Sequence, residues 1–252
     1  MQGNFMKNIR ATAGIYFGAI FMLASVLPVT AGLPAADSES EAGLRINQTE
    51  PAEFPVGALH QGIHSGKVRV VVSVDAEGKL VDYLVVAYTN EIFVSSAVRA
   101  LKSWTYEPAK VHGHVRASRA DIAFVYKGDM VVAVQNADYN ITQGMFGQIY
   151  KFEPSVLRDL DHIPVPLHVV TPLIPDGVLA AGEVRVVTVE FYIDQEGKVR
   201  VPSVSREQVD DQLAAAAVDA VEQWSFEPPM RKGQPVLVLA QQDFHFVAKT
   251  NK

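Results

Sequence analysis

The chain contains the same ordered set of motifs twice. The sequence WTYEP at Trp104–Pro108 returns 120 residues later as WSFEP at Trp224–Pro228. The turn sequence at Asp75–Gly78 returns at an offset of 119 at Asp194–Gly197. A spacing that holds over about 50 residues indicates one structural unit that has been duplicated. Each unit has about 75–80 residues, so each needs a well-filled core to fold by itself.

Composition excludes several classes of function. The chain has 252 residues, of which 48% are hydrophobic and 20% are charged, as in folded globular proteins. Its net charge of -6 and the lack of clustered cations disfavour binding to nucleic acid or to anionic membranes. The chain has no cysteine, so disulfides, thiolate nucleophiles and cysteine-ligated metals are excluded.

Residues 1–31 have the pattern of an export segment. Lys7 and Arg10 precede an uncharged, mostly apolar run from Ala11 to Ala31, and the last three residues of that run fit a signal-peptidase site. The run is also long enough to span a bilayer as an uncleaved anchor. Both alternatives stay open, and both place the rest of the chain outside the cytoplasm.

Each unit begins with the pattern of a β-hairpin. Alternating residues predict a strand, the Asp-x-x-Gly sequence predicts a turn, and a return strand follows at Leu80–Ala87 or Lys198–Val204. The second return strand contains Pro202, which cannot donate to a ladder and is therefore expected at a sheet edge. The residues predicted to face the core are Val68, Val70, Val72, Val74, Val187, Val189, Phe191 and Ile193.

A helix and a last strand complete each unit. Asn90 and Asp210 are good N-caps, apolar residues follow at helical spacing, and Pro108 and Pro228 are expected to end the helices. The last strands are predicted at about residues 116–126 and 236–246. The predicted fold class is α+β, with two tandem units, each a three-stranded antiparallel sheet (β-hairpin, helix, β-strand) covered by a helix on one face.

The pattern also predicts the boundaries between these parts. Residues 32–50 are small and polar and predict a flexible leader, residues 51–127 form the first unit, and residues 170–248 form the second. Residues 128–169 are predicted to be a linker, because the periodicity weakens and prolines accumulate there. Within this linker, Met130 to Val134 could extend the preceding strand.

The ordered set of motifs resembles the C-terminal domain of TonB, the energy transducer of the Gram-negative envelope. The matching residues of the first unit are Pro51, Phe54, Pro55, Gly66, Asp75, Gly78, Trp104, Tyr106, Glu107, Pro108 and Phe124. Those of the second are Pro172, Pro175, Gly182, Asp194, Gly197, Trp224, Phe226, Glu227, Pro228 and Phe244. The resemblance implies a non-enzymatic protein of the periplasm or cell envelope, without a cofactor, that docks extended segments of outer-membrane receptors.

The family docks such segments by strand addition to a sheet edge, where unpaired N–H and C=O groups are available. The candidate partner-binding residues lie on the two last strands: Ala120, Asp121, Ile122, Ala123, Phe124, Gln242, Asp243, Phe244, His245 and Phe246. Proline at Ile122 or Phe244 is predicted to block addition without emptying the core. Pairing of the same edges between two copies would give a homo-oligomer.

Three departures separate the chain from a TonB transducer. It has two such domains in tandem, it lacks a long spacer rich in Pro, Lys and Glu, and its apolar N-terminal run contains no histidine. The family's anchor uses a histidine to couple to its inner-membrane motor, so motor coupling does not transfer with the fold. The alternative function is a soluble periplasmic adaptor or assembly module that uses the fold without energy transduction.

Other side chains that could bind partners, catalyse reactions or ligate metals have simpler structural explanations. Trp104 and Trp224 end apolar helical stripes and are expected in the cores. The acidic residues of the two Asp-x-x-Gly turns are expected to serve turn geometry instead of catalysis. Ser95-Ser96 lies within a helix, without the context of a nucleophile. The pairs His60/His64 and His112/His114 have no counterpart in the second unit, so no metal site is predicted.

Overall fold

The computed structural model describes residues 43–111, 114–128, 130–136, 150–175, 177–180, 182–204 and 210–247. The predicted export segment at 1–31 and His112 lie outside the described residues. Among the helices within the described ranges, none is long and apolar enough to cross a membrane.

Within the described residues, the first unit contains eight strands and two α-helices. In chain order these are β1 (Arg45–Asn47), α1 (Val56–His60), β2 (Ser65–Val74), β3 (Leu80–Tyr88), α2 (Val94–Ser103), β4 (Thr105–Glu107), β5 (Ala109–Val111), β6 (His114–Arg116), β7 (Ser118–Lys127) and β8 (Met130–Gln135). A short 3-10 turn at Glu91–Phe93 leads into α2.

The second unit repeats the plan with fewer residues in its main sheet. A 3-10 turn at Leu157–Asp159 precedes it. The elements are β9 (Pro166–His168), β10 (Val184–Ile193), β11 (Val199–Val204), α3 (Asp211–Glu222), β12 (Ser225–Phe226), β13 (Met230–Arg231), β14 (Gln234–Pro235) and β15 (Val238–Val247).

The main sheet of the first unit has four antiparallel strands in the order β3-β2-β7-β8. The prediction of three strands is therefore wrong for this unit. The chain turns back at Gly128, whose φ is 61° and whose N–H donates to the carbonyl of His64 at 2.9 Å. Residues 130–135 consequently pair with β7 as a new strand instead of extending it. The first strand of the hairpin is central, since β2 pairs with both β3 and β7.

The main sheet of the second unit has the predicted three strands, in the order β11-β10-β15. Pro202 lies on the edge strand β11, as predicted. The β10–β11 register shifts between Glu190 and Tyr192. Val201 lies opposite this shift with a φ of 42°. This bulge bends the edge strand, and Val201 packs outside the helix-covered core.

One helix covers one face of each main sheet, as predicted. Phe93, Ala97 and Leu101 are fully buried against β2 and β7, and Leu213, Ala217 and Val221 are fully buried against β10 and β15. Asn90 caps the 3-10 turn that leads into α2, and Asp210 caps α3, so both predicted N-caps are confirmed. Asn90 Oδ1 accepts from the N–H of Ile92 at 3.1 Å, and Asp210 Oδ1 accepts from the N–H of Gln212 at 2.9 Å.

The helices end earlier than predicted. α2 ends at Ser103 and α3 ends at Glu222, ahead of the tryptophans and several residues before the prolines. The aromatic motifs then form β4 and β12, which pair with β1 and β9 respectively. Each tryptophan lies just beyond its helix, and its indole N–H donates to an upstream carbonyl. Trp104 donates to Glu50 at 2.6 Å, and Trp224 donates to Val170 at 2.8 Å.

Two predicted boundary segments need correction. β1 lies within the predicted flexible leader 32–50, and it belongs to the first unit because it pairs with β4. The predicted linker 128–169 contains β8 of the first sheet and β9 of the second unit. β1 and β9 have too few apolar residues in a periodic pattern to predict a strand, whereas the apolar run of β8 does not show whether it extends β7 or pairs with it.

The repeated turns pack against the repeated aromatic motifs. Gly78 and Gly197 have φ values of 84° and 82°, which favour glycine. A Cβ on Gly78 would lie 2.5 Å from the carbonyl oxygen of Tyr106, and one on Gly197 would lie 2.0 Å from that of Phe226. The backbone of each turn therefore contacts the backbone of the aromatic motif, which explains why both motifs recur together.

The two units pack on each other through the sheet faces that their helices leave uncovered. An apolar cluster joins Val71, Leu84 and Val86 of the first unit to Tyr192, Val201 and Leu237 of the second. At its border, Arg200 donates to the carboxylate of Asp82 at 2.9 and 2.5 Å and to the carbonyl of Tyr83 at 3.0 Å. The tandem repeat is thus a packed pair.

Candidate partner-binding edge

One long strand of the second unit lies at a sheet edge. β15 pairs with β10 along all ten of its residues. On its outer side, the carbonyl of Leu237 accepts from the N–H of Ser155 at 2.8 Å, and a single parallel bridge joins Ser155 to Val238. No strand of the described chain pairs with the outer side of β15 beyond that bridge.

The backbone groups on this outer side can be assigned by alternation. In an antiparallel pair, successive residues direct their N–H and C=O groups to opposite sides of the strand. Because the carbonyl of Leu237 points outward and the β10–β15 register has no shift, the outward residues are the odd-numbered ones. Asp243, His245 and Val247 therefore direct N–H and C=O groups away from β10.

The two faces of this edge differ in chemistry. On the helix side, Phe244 and Phe246 are 9% and 3% exposed. On the other face, Asp243 accepts from the hydroxyl of Thr188 at 2.7 Å, His245 is exposed, and Val247 is 51% exposed. An added strand would meet buried aromatic rings on one side and a carboxylate and an imidazole on the other.

The corresponding strand of the first unit is closed. β7 pairs with β2 on one side and with β8 on the other, where Ile122, Ala123 and Phe124 lie opposite Gln135, Val134 and Ala133. The N–H of Asn136 also donates to the carbonyl of Asp121 at 2.6 Å. The prediction of an open edge at Ala120, Asp121, Ile122, Ala123 and Phe124 is therefore wrong, because residues 130–136 occupy it.

The predicted proline positions also need correction. The carbonyl of Asp121 bonds to Asn136, so the odd residues of β7 face β8 and Ile122 faces β2. By the same alternation, Phe244 faces β10. Proline at Ile122 or Phe244 would break the ladder inside a sheet. Proline at Asp243 or His245 would remove an N–H that points outward, which an edge strand tolerates.

Outside the β15 edge, the two aspartates of the Asp-x-x-Gly turns bond to the backbone of their own turns. Asp75 Oδ1 accepts from the N–H groups of Glu77 and Lys79 at 3.1 and 2.7 Å, and Asp194 Oδ1 makes the same bonds to Glu196 and Lys198 at 3.1 and 2.8 Å. The predicted role of these acids in turn geometry is thus confirmed.

The tryptophans are buried in the cores, and the two histidines near α1 do not share a helix face. Trp104 and Trp224 are 5% and 3% exposed, so the prediction that they are core residues is confirmed. α1 ends at His60, so His64 does not share its helix face. Within the described ranges, no three residues of the types His, Cys, Asp and Glu come together as a potential metal site.

Shifted pKa values follow burial and ion pairing. Burial raises the pKa of Tyr106 and of Tyr126 to about 12, and their hydroxyls donate to the carbonyls of Leu101 and Phe93 at 2.6 and 3.3 Å. The hydrogen bond to Asp82 raises the pKa of Arg200. These groups lie in the core or between the units, so they stabilise the fold and are not placed to act on a substrate.

Comparison with known families agrees with this geometry. The family described as Gram-negative bacterial TonB protein C-terminal matches residues 50–127 and 175–248. These two matches cover more than half of the chain, and each contains the main hairpin, helix and last strand of one packed unit. The resemblance predicted from the repeated motifs is thereby confirmed. No match is found among curated proteins.

Proposed function

The chain belongs to the TonB C-terminal family of Gram-negative bacteria, and from this premise we propose that it binds extended segments of partner proteins at the outer edge of β15. The family is one of TonB-like, protein-binding envelope domains, in which an enzymatic role is not expected. In the proposal, a partner segment adds beside Asp243, His245 and Val247 and completes the ladder of the second sheet.

The observation that carries the proposal is the difference between the two last strands. β7 has a strand on each side, whereas β15 has a strand of the described chain on one side only. Each exposed backbone N–H and C=O can form a hydrogen bond with an added strand. The partner class that the family suggests is a segment of an outer-membrane receptor, with a role in receptor-dependent transport.

A second candidate function is a periplasmic adaptor that uses the same edge without energy transduction. The packing of the two units favours it, since an apolar cluster and the Arg200–Asp82 pair join the second sheet to the first. The two candidates differ in whether residues 1–31 stay attached as a membrane anchor. Cell fractionation with sequencing of the mature N-terminus distinguishes them: an intact anchor in the inner membrane supports transduction, and a soluble chain starting near residue 32 supports the adaptor.

Site-specific photocrosslinking in Gram-negative cells tests the binding edge. A photoreactive phenylalanine analogue at Val247 is expected to give adducts with envelope proteins, and the same analogue at Glu77, an exposed turn residue of the first unit, serves as the control position. Adducts at Val247 should disappear with His245→Pro, which removes an outward N–H, and persist with His245→Ala, which keeps it. Adducts that survive His245→Pro would refute strand addition at this edge.

A further inference from the structure

The two last strands are equivalent residue by residue, but within the described chain only β7 has a strand paired along both of its sides. At an offset of 120, Ile122–Lys127 of β7 corresponds to Gln242–Val247 of β15. β8 pairs with Ile122–Lys127 without a register shift. The strand that closes the first unit therefore lies where an added segment would lie in the second.

The chemistry of β8 describes what this position accepts. β8 is antiparallel to its neighbour, has six residues and carries no charge. Its Val131 and Ala133 pack against the helix-side core, which there includes the buried rings of Phe124 and Tyr126. On the opposite face, Val132 and Val134 are 51% and 42% exposed.

The helix side of the second edge offers the same kind of surface. Phe244 and Phe246 of β15 stand where Phe124 and Tyr126 stand on β7, and both are buried in the core of the second unit. Small or β-branched residues at alternate positions of an added strand would therefore contact aromatic rings there, as Val131 and Ala133 do in the first unit.

The opposite face differs, and this difference sets specificity. Ala123 and Val125 of β7 are replaced at the equivalent positions of β15 by Asp243 and His245. Ala123 lies opposite Val134 of β8, so the residue of an added strand that corresponds to Val134 would lie opposite Asp243. A cation at that position would pair with the carboxylate, and an anion would be repelled.

We infer that β8 is an internal copy of the ligand that β15 binds. The ligand class is an extended segment that adds antiparallel to β15, with small or β-branched apolar residues at alternate positions on the helix side and a basic or uncharged residue opposite Asp243. This inference rests on the proposed function of the β15 edge. It also assigns partner binding to the second unit, because β8 keeps the first unit closed.

The experiment uses a peptide with the sequence of residues 128–136, GDMVVAVQN, as the probe. Fluorescein-labelled peptide is titrated with the full chain purified without residues 1–31, and binding is measured by anisotropy. A peptide with proline at the positions of Val132 and Val134 is the control, since it lacks two of the N–H groups that β8 directs to β7. Two further peptides carry Lys or Glu at the position of Val134.

Two protein variants locate the binding site. His245→Pro removes an outward N–H of β15, and His245→Ala is its matched control. The double variant Ala123→Cys, Val134→Cys locks β8 onto β7 with a disulfide. These residues form a directly opposed pair whose Cα atoms are about 5.5 Å apart in a regular ladder, within the range that a disulfide spans. The chain has no other cysteine to compete.

The expected result is saturable binding that is at least tenfold weaker with His245→Pro than with His245→Ala, which removes the same side chain but keeps the N–H. The Lys peptide should bind about two- to fivefold tighter than the Glu peptide, the range of one cross-strand charge pair. Locking β8 should leave binding unchanged. Loss of binding in the locked protein would place the peptide in the first unit and overturn the inference. Binding to His245→Pro as tight as to the unsubstituted protein would also overturn it.

The outcome also separates this inference from the proposed function. If cellular adducts at Val247 depend on the N–H of His245 but the peptide does not bind, the proposed function stands and β8 is not a copy of the ligand. If the peptide binds at β15 and the cells give no adducts, the inferred ligand class stands, and the proposal that an envelope protein binds there is refuted.

Discussion

The first prediction concerns the apolar contact between the two units. Leu237 is 3% exposed and lies in the apolar cluster that joins the sheets. Leu237→Ala removes three carbon atoms from this cluster, which costs about 0.8 kcal/mol per buried carbon plus a term for the cavity. We therefore expect the free energy of unfolding to fall by about 3 kcal/mol. The bond from Ser155 to the carbonyl of residue 237 is kept, since it uses only the backbone.

The substitution should also uncouple the two units. The chain has two tryptophans, one in each core, so 5-fluorotryptophan gives one fluorine NMR signal from each unit. In the unsubstituted protein, both signals should lose their native intensity at the same urea concentration, because the shared cluster makes the units unfold together. In Leu237→Ala, the two midpoints should separate.

Leu213→Ala is the matched control, because Leu213 is fully buried in the core of the second unit and outside the shared cluster. It should destabilise the protein by a similar amount, about 2–5 kcal/mol, without weakening the contact between the units. A loss below about 1 kcal/mol for Leu237→Ala, or midpoints that stay together in that variant, would show that the cluster does not hold the units together.

Three further predictions test individual interactions. Gly197→Ala should destabilise the protein far more than Gly233→Ala in urea titrations, because both have positive φ but only the former places a Cβ against a carbonyl oxygen; equal effects would contradict this. A double-mutant cycle of Asp82→Ala and Arg200→Ala should give a coupling free energy of about 1 kcal/mol that decreases with salt, since the pair is partly exposed, whereas additive effects would show no coupling. The free energy of unfolding should fall as pH rises above about 10, because tyrosine ionises there in the unfolded chain while burial holds the pKa of Tyr126 at about 12 in the folded protein. Tyr126→Phe should reduce this loss in urea titrations at a series of pH values. An unchanged dependence of stability on pH in that variant would refute the prediction.

The sequence predicted the features that depend on a few neighbouring residues. The Asp-x-x-Gly turns form because Asp75 and Asp194 accept N–H groups two and four residues ahead. Asn90 and Asp210 cap helices through N–H groups two residues ahead. These interactions are local, so the residue types and their spacing suffice to predict them, and their duplication revealed the repeat.

Of the two last strands predicted to offer an edge, only one does so within the described chain. The β15 edge was found because Phe244 and its neighbours alternate as in a last strand, whereas the closed edge at Ala120–Phe124 was missed. The run from Met130 to Val134 is apolar throughout, so it fits an extension of β7 and a strand that returns beside β7 equally well. Its hydrophobic pattern is the same in both cases, so the pattern does not distinguish them.

The sequence by itself thus determined the two units, their hairpins, their caps and their tryptophan-centred cores, since each depends on short-range chemistry. Only the tertiary structure decided which of the two last strands is covered on its outer side by another strand of the described chain. β8 closes the first unit because Gly128 turns the chain and because Val131 and Ala133 gain contact with a core assembled from residues up to about 90 positions away. Tyr192 and Val201 are buried by the other unit, and no pattern within their own strands records that contact.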